Sequence, residues 1–165
     1  MIIRQENPAD VDAIRAVIRE AFGGAQEADL VDRLRSDNDL LVSLVAEQDG
    51  QIIGHVGFSR IWIVQDGRRV PGVSLAPLAV LPEHQRRGIA TTLVEAGHVR
   101  LRHDGESIIF VLGAPKYYGR FGFSVSSAAP FSCVYAGSHF QALSFSSLAP
   151  ETGSLSYPLA FSGLR

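Results

Sequence analysis

The stretch Val80-Leu81-Pro82-Glu83-His84-Gln85-Arg86-Arg87-Gly88-Ile89-Ala90 joins a β-like run to a helix-like one, and its chemistry suits a diphosphate. The N–H groups of a first helical turn have no partner within the helix and point out of its end, where the dipole favours negative charge. Gly88 and Ala90 keep bulk off the backbone, which leaves room for phosphate oxygens. Arg86 and Arg87 offer charge-assisted donors. A plain turn with solvated arginines fits the same residues, so the loop taken alone leaves both readings open.

Working outward, the run ahead of the loop is strand-like from Val70 to Val80, and Pro77 within it cannot donate to a ladder. It therefore marks an edge, a bulge or a break in pairing, or an early strand end. Two further strands precede it, Leu40–Glu47 and Gln51–Val64. Asp49-Gly50 and Asp66-Gly67 stand between the three, and Asp-Gly is a strong hairpin signal, so the spacing predicts an antiparallel meander. Nearer the N-terminus, Ile2–Gln5 reads as a short strand. Asn7, Pro8 and Asp10 are start signals for a helix whose apolar positions are Val11, Ile14, Val17, Ile18 and Phe22, stopped by Gly23-Gly24. A shorter helix follows over Glu27–Arg35.

Beyond the loop, Ala90, Leu93, Val94, Gly97 and Leu101 fall on one helical face, with Gly105 as the stop. Ile108–Leu112 is a continuous apolar run expected of a strand buried on both sides. The intervening helix is long enough to cross over, so this strand should lie parallel to Val70–Val80. A brief helix is predicted over Lys116–Phe121, with strands near Ser132–Tyr135 and Phe140–Ser146. The Ser-rich tail retains Phe131, Phe140, Phe145 and Phe161, which argues for packed β-structure. The fold class is α+β, built on a mixed sheet.

A chain of 165 residues, 46% hydrophobic and 19% charged, can bury a normal core within one domain. Its formal net charge of −2 and lack of a basic block argue against nucleic acid or a membrane surface as partner. One cysteine, Cys133, permits no internal disulfide, suits a reducing cytosol and reads as core filler. Met1-Ile2-Ile3 runs directly into Arg4, Glu6 and Asp10 without an apolar signal core, so a cytoplasmic protein is expected. No metal site is expected: His98 and His103 fall on different helix faces, and no Cys/His pair has ligand spacing. No Gly-x-Ser-x-Gly elbow is present either.

Gln85-Arg86-Arg87-Gly88-Ile89-Ala90 resembles the Gln/Arg-x-x-Gly-x-Gly/Ala signature of the GNAT superfamily of acyl-CoA-dependent N-acetyltransferases. Leu78-Ala79-Val80-x-Pro82 resembles the end of that family's central strand, Asp49-Gly50-x-Ile52-Ile53-Gly54-His55 its second hairpin, and Tyr118-Gly119-Arg120-Phe121-Gly122-Phe123 its Tyr-x-x-x-Gly-Phe segment. The stretch from Gly153 to Phe161 resembles a subgroup of predicted bacterial N-acetyltransferases. The resemblance implies a single domain over residues 1–165, with a coenzyme A site in 1–123 and a β-rich part in 124–165. It also implies a mostly antiparallel mixed sheet with helices on both faces and a splayed parallel strand pair. Acetyl-CoA is implied as acyl donor, with Leu78, Ala79 and Val80 along its pantetheine arm, Gln85, Arg86, Arg87, Gly88, Ile89 and Ala90 at the phosphates, and Tyr118 near the thioester sulfur. An unidentified primary amine would attack directly in a ternary complex, and the protein would be a monomer or homodimer.

Acyl transfer needs a neutral amine, although a lysine-like amine has a pKa of ~10.4 in water. It also needs a donor for the oxyanion and a proton for the leaving thiolate. The resemblance gives these last two roles to the Leu78 N–H and the Tyr118 hydroxyl; Tyr117 remains packing. The family's carboxylate on the central strand has no counterpart in Val73–Val80. Glu47, His55, Glu83 and His84 are candidate bases, with deprotonation through water equally open. A non-catalytic acyl-CoA sensor or partner module on the same fold is the alternative to an enzyme.

Overall fold

Two Asp-Gly pairs shape the middle of the chain. In the computed structural model, which describes residues 1–163, Asp49 and Gly50 take φ of 52 and 77°, and Asp66 and Gly67 take 51 and 75°. Positive φ at both central residues gives the turn whose twist matches a hairpin. These turns link β2 (Leu40–Gln48), β3 (Gln51–Gln65) and β4 (Arg68–Val80), which are successive neighbours in one sheet, as the sequence predicts. Leu164 and Arg165, the end of the expected domain, lie outside the described residues.

The chain forms two compact units. One comprises Met1–Ser59, Ala76–Arg100 and the chain from Pro158 onward. In it β1 (Ile2–Gln5) pairs antiparallel with β2, Ile3 against Ala46. Asn7 accepts from the Ala9 N–H while the Asp10 carboxylate accepts from the Asn7 N–H. This reciprocal cap belongs to a 3₁₀ turn over Pro8–Asp10, and the α-helix proper starts one residue later as α1 (Val11–Phe22). Gly23, at φ 78°, closes α1 by donating to the Arg19 carbonyl. Ile14, Val17 and Ile18 of α1 and Leu30, Val31 and Leu34 of α2 (Gln26–Ser36) are buried. In α3 (Ile89–His103), Leu93 and Val94 are buried as the helical pattern requires.

Gly97 of α3 has a specific packing role. A Cβ there would fall 2.2 Å from Cε2 of Phe58, whose side chain is fully buried. The Phe58 ring thus sits on bare backbone, and close packing leaves it little room to retreat. Gly97→Val is expected to lower stability by ~1–3 kcal/mol, read as a fall in the urea midpoint without a change in slope. An unchanged midpoint would mean that the ring moves freely.

The other unit comprises Arg60–Leu75 and Leu101–Tyr157. Here β5 (Ile108–Leu112) runs parallel to β4, with Val73 against Ile109 and Ser74 against Phe110. Beyond those pairs no further β4–β5 register is made among the described residues, although the strands continue to Val80 and Leu112. On its other side β5 pairs antiparallel with β7 (Phe140–Ser144), from Ile108–Ser144 to Leu112–Phe140. Ile61, Ile63, Ile108, Phe110, Phe131 and Phe140 form the core, with the Phe110 and Phe140 rings stacked 5.6 Å apart.

The predicted brief helix is α4 (Pro115–Tyr118) followed by a 3₁₀ turn over Gly119–Phe121. The tail is packed β-structure, as read, but its elements shift. The strand expected at Ser132–Tyr135 is the shorter β6 (Phe131–Ser132), and Tyr135 instead meets Tyr157 edge-on at 4.9 Å. A short α5 (Val125–Ala128) and a strand β8 (Gly153–Ser156) were not expected. Ser124 caps α5 by accepting from the Ser127 N–H, and β8 pairs antiparallel with Trp62–Val64 and parallel with β6. Cys133 packs against the core and burial pushes its thiol pKa up, which fits filler. Among the described residues the sheet is thus mixed, with eight strands, mostly antiparallel, and flanked by helices. Among the described residues no helix is long and apolar enough to cross a membrane.

Candidate functional site

In the loop ahead of α3 the first amides are bonded within the turn, those of His84 and Gln85 donating to the Leu81 and Pro82 carbonyls. Pro82–His84 forms a 3₁₀ turn, after which Arg86 (φ 64°) and Gly88 (φ 80°) both take left-handed backbone. Left-handed residues set into a turn swing neighbouring amides towards one concave side, an arrangement suited to an anion. Among the described residues no backbone carbonyl accepts from the N–H of Arg86, Arg87, Gly88, Ile89 or Ala90. The Gly88 carbonyl is held by the N–H and hydroxyl of Thr92, which anchors the loop to the first turn of α3. Arg86, Arg87 and Gly88 are exposed.

No protein group crowds Gly88. A Cβ at this position would meet nothing within 4 Å, so crowding does not require glycine. Its φ does, since β-branched and bulky residues rarely adopt the left-handed region. Gln85 also differs from a simple ligand contact: its Nε2 donates to the Val80 carbonyl at 3.0 Å, tying the loop to the end of β4. Of the arm positions, Ala79 and Val80 are buried and Leu78 is half-buried.

In the other unit, the Tyr118 ring lies over Gly113. A Cβ on Gly113 would stand 2.4 Å from Cε2 of Tyr118, so this close approach depends on glycine. Tyr117, Phe121 and Phe123 surround the ring, with centroids at 5.0, 6.3 and 5.9 Å. Burial, with a smaller contribution from Tyr117, pushes the Tyr118 hydroxyl up to about 12. It therefore holds its proton at neutral pH, as a proton donor must.

The four candidate bases have separate fates. Glu47 accepts from Arg4 Nε at 2.8 Å and is engaged in that ion pair. Glu83 is exposed, and His84 is half-buried with an Nδ1 that has no partner among the described residues. His55 is fully buried. Its Nε2 lies 2.8 Å from Ser43 Oγ, Ser43 donates to Glu6, and Glu6 is bracketed by Arg35 at 2.7 and 2.9 Å. Glu6, Ser43 and Arg35 were missed in the sequence. The available signal was a polar residue interrupting each of two apolar strands, Ser43 in β2 and His55 in β3.

Burial pushes the His55 imidazole pKa down to about 4, with Glu6 raising and Arg35 lowering it by smaller amounts. The unfolded chain, with an ordinary histidine near ~6.5, binds the proton more readily between these values, so stability increases with pH across that window. For Glu6, burial alone would raise the pKa, but Arg35 and Ser43 outweigh it and hold the carboxyl below its usual range. Its contribution too is lost as acid protonates it. The urea midpoint is expected to be steady above pH ~6.5 and to drop on acidification towards pH 4, with His55 contributing up to ~3 kcal/mol. A midpoint flat over that range would contradict a neutral buried ring.

A mixed sheet with a parallel pair, flanked by helices, defines an α+β protein, and the turn ahead of α3 is the part of it suited to an anion. Known proteins narrow this class. A family model described as an acetyltransferase (GNAT) domain matches residues 2–126. The uncharacterized N-acetyltransferase YhbS of Escherichia coli K12 is 38% identical over 138 residues, covering 83% of this chain and 81% of its own. The crystal structure of E. coli YhbS in complex with CoA superposes with a TM-score of 0.89 at 36% identity, over 98% of this chain and 91% of that one. A GNAT acetyltransferase from Brucella melitensis in complex with acetyl-CoA gives 0.83 at 36% identity over 97% of each chain. The chain belongs to the GNAT family of N-acetyltransferases, with relatives of the YhbS type.

Proposed function

We propose that this chain transfers the acetyl group of acetyl-CoA to a primary amine by direct attack in a ternary complex, with residues 1–165 acting as one acyltransferase domain. The observation that carries the reading is the turn from Arg86 to Ala90, whose five amides have no backbone partner among the described residues. Such donors at a helix start suit a diphosphate, and relatives that match nearly the whole chain hold CoA or acetyl-CoA.

In this reading Gln85 to Ala90 receive the phosphates, and Leu78, Ala79 and Val80 flank the arm. The Leu78 N–H donates to the oxyanion, and Tyr118, which keeps its proton at neutral pH, supplies one to the departing thiolate. Among the described residues no cluster of His, Cys, Asp and Glu is placed to hold a metal, and this route uses only protein groups. The protein works in the cytoplasm as a monomer or homodimer.

The test is calorimetry with acetyl-CoA, followed by thiol release in the presence of spermidine, tryptamine, glycinamide and a lysine-containing peptide. Binding with release by at least one amine class supports the enzyme. Binding without release by any amine favours an acyl-CoA sensor, and absence of binding overturns the loop assignment.

A further inference from the structure

We infer that the apolar cavity beside α5 is the acceptor pocket, and that the acceptor it takes is a primary amine on an aromatic body, not a polyamine or a small polar amine. The inference rests on the acetyl-transfer reading above and names the substrate class for it.

The cavity has a volume of about 310 Å³, at the lower end of the roughly 300–1,000 Å³ common for small-molecule sites. Its floor is Ala128, Phe131 and Phe140, all buried. Phe110 fixes the two rings, meeting Phe131 edge-on at 4.9 Å and stacking on Phe140 at 5.6 Å. Ala129, Ala136 and Ser138 also line the cavity and are exposed, so it opens to solvent. The rim is held by two turns, in which Ala136 donates to the Cys133 carbonyl and Phe140 to that of Gly137. Among the described residues that line it none is acidic or basic, and the Ser138 hydroxyl is the one polar side-chain group. A polyamine or a free amino acid brings charges that such walls leave unpaired, whereas an apolar body gains from leaving water.

The cavity is also well placed for transfer. Phe140 of its floor is the cross-strand partner of Leu112, and directly opposed residues share a face of the sheet. The apolar floor therefore continues to Leu112, which ends β5 and is 53% exposed. Gly113 comes next. Its N–H donates to the His139 carbonyl at 2.9 Å, its carbonyl accepts from Gln141 Nε2 at 3.0 Å, and the Tyr118 ring lies against it. With sulfur beside Tyr118, as assigned above, the thioester and the cavity floor flank the same strand end. Alternation puts Leu112 and the side of Gly113 covered by Tyr118 on opposite faces. An amine with its body in the cavity thus reaches the carbonyl from the face opposite the acid, and nucleophile and proton donor do not compete for one space.

The division of the acceptor follows from these walls. Its nitrogen is an ammonium in water, and the cavity offers no counter-charge, so the nitrogen stays at the wet rim while the ring goes in. Acetyl, the acyl group of the proposed donor, ends in a methyl group and leaves the cavity to the other substrate. Burying an aromatic body removes on the order of 100 Å² of apolar surface from water, which favours such an amine over glycinamide by roughly 30-fold in kcat/KM.

Two measurements test the assignment. In ¹⁵N-labelled wild-type protein, tryptamine should shift the amide signals of Ala128, Ala129, Ala136 and Ser138, and spermidine at the same concentration should not. Tryptamine shifts confined to other residues, or equal shifts with spermidine, overturn the proposal whatever the enzyme assays give. In thiol-release assays with acetyl-CoA, tryptamine should exceed glycinamide and spermidine by roughly 30-fold in kcat/KM. Ala136→Phe fills the cavity from an exposed position and should lower kcat/KM for tryptamine by ~10-fold, mainly through KM. Glycinamide kinetics and acetyl-CoA affinity should stay at wild-type values. Ala129→Phe, at the end of α5, is the second filler should Ala136→Phe not fold. A folded filler variant with wild-type tryptamine kinetics, or with an equal loss for glycinamide, overturns the pocket while leaving acetyl transfer intact. So does a filler that blocks only hexanoyl-CoA as donor, since the cavity would then hold an acyl chain. Failure of wild type to turn over any amine would instead remove the underlying reading.

Discussion

Tyr118→Phe is expected to lower turnover of acetyl-CoA with an amine acceptor by ~10²–10³-fold, with acetyl-CoA affinity left near the wild-type value. The substitution removes one oxygen and keeps the ring, so the packing on Gly113 and against Phe123 persists. What is lost is a proton donor whose pKa, at about 12, keeps it loaded from pH 6 to beyond pH 10. The wild-type rate should accordingly show no alkaline fall in that range from loss of this acid. Full turnover by the Phe variant, or a wild-type alkaline limb well below pH 10, would return Tyr118 to the role of aromatic packing. A variant that binds acetyl-CoA normally and turns over slowly also separates an enzyme from a sensor, because a sensor has no turnover to lose.

The legible parts of the fold carried local signals. Asp49-Gly50 and Asp66-Gly67 specify their turns from two residues each, and Gly23 and Gly105 end helices with φ of 78 and 82°. The unexpected elements depend on distant partners. β8 is four residues of Gly-Ser-Leu-Ser with no apolar alternation, and it becomes a strand by pairing with Trp62–Val64 and with β6. α5 is too short for helical periodicity to appear, although Ser124 was a readable cap. The loop of the candidate site was legible because its residues are contiguous. The Glu6–Ser43–His55–Arg35 group was not, because three elements and the link after β1 supply it and each member alone reads as an ordinary polar residue. The backbone reason for Gly88 needed coordinates: beside the room that a small residue leaves, the structure shows a φ that only glycine adopts easily.

That distinction sets what the second large effect should look like. Gly88→Val is expected to weaken CoA binding by ~10²-fold, because a β-branched residue is strained at this φ and the turn must rearrange, scattering the amides it presents. Gly88→Ala, which adds little bulk and also resists positive φ, should lose nearly as much; a loss confined to Val would mean that bulk, not backbone, is the cause. Arg86→Glu combined with Arg87→Glu acts through charge instead. These side chains are exposed, so their contribution is screened, and a loss of ~10-fold at low salt should shrink as salt is raised. The Gly88 effect should persist at high salt, because it resides in fixed peptide donors. Calorimetry with CoA across a salt series separates the two, with a thermal melt to show that each variant remains folded. If none of these changes moves the affinity, the phosphates bind elsewhere and the unpartnered amides of Arg86 to Ala90 belong to a solvated turn.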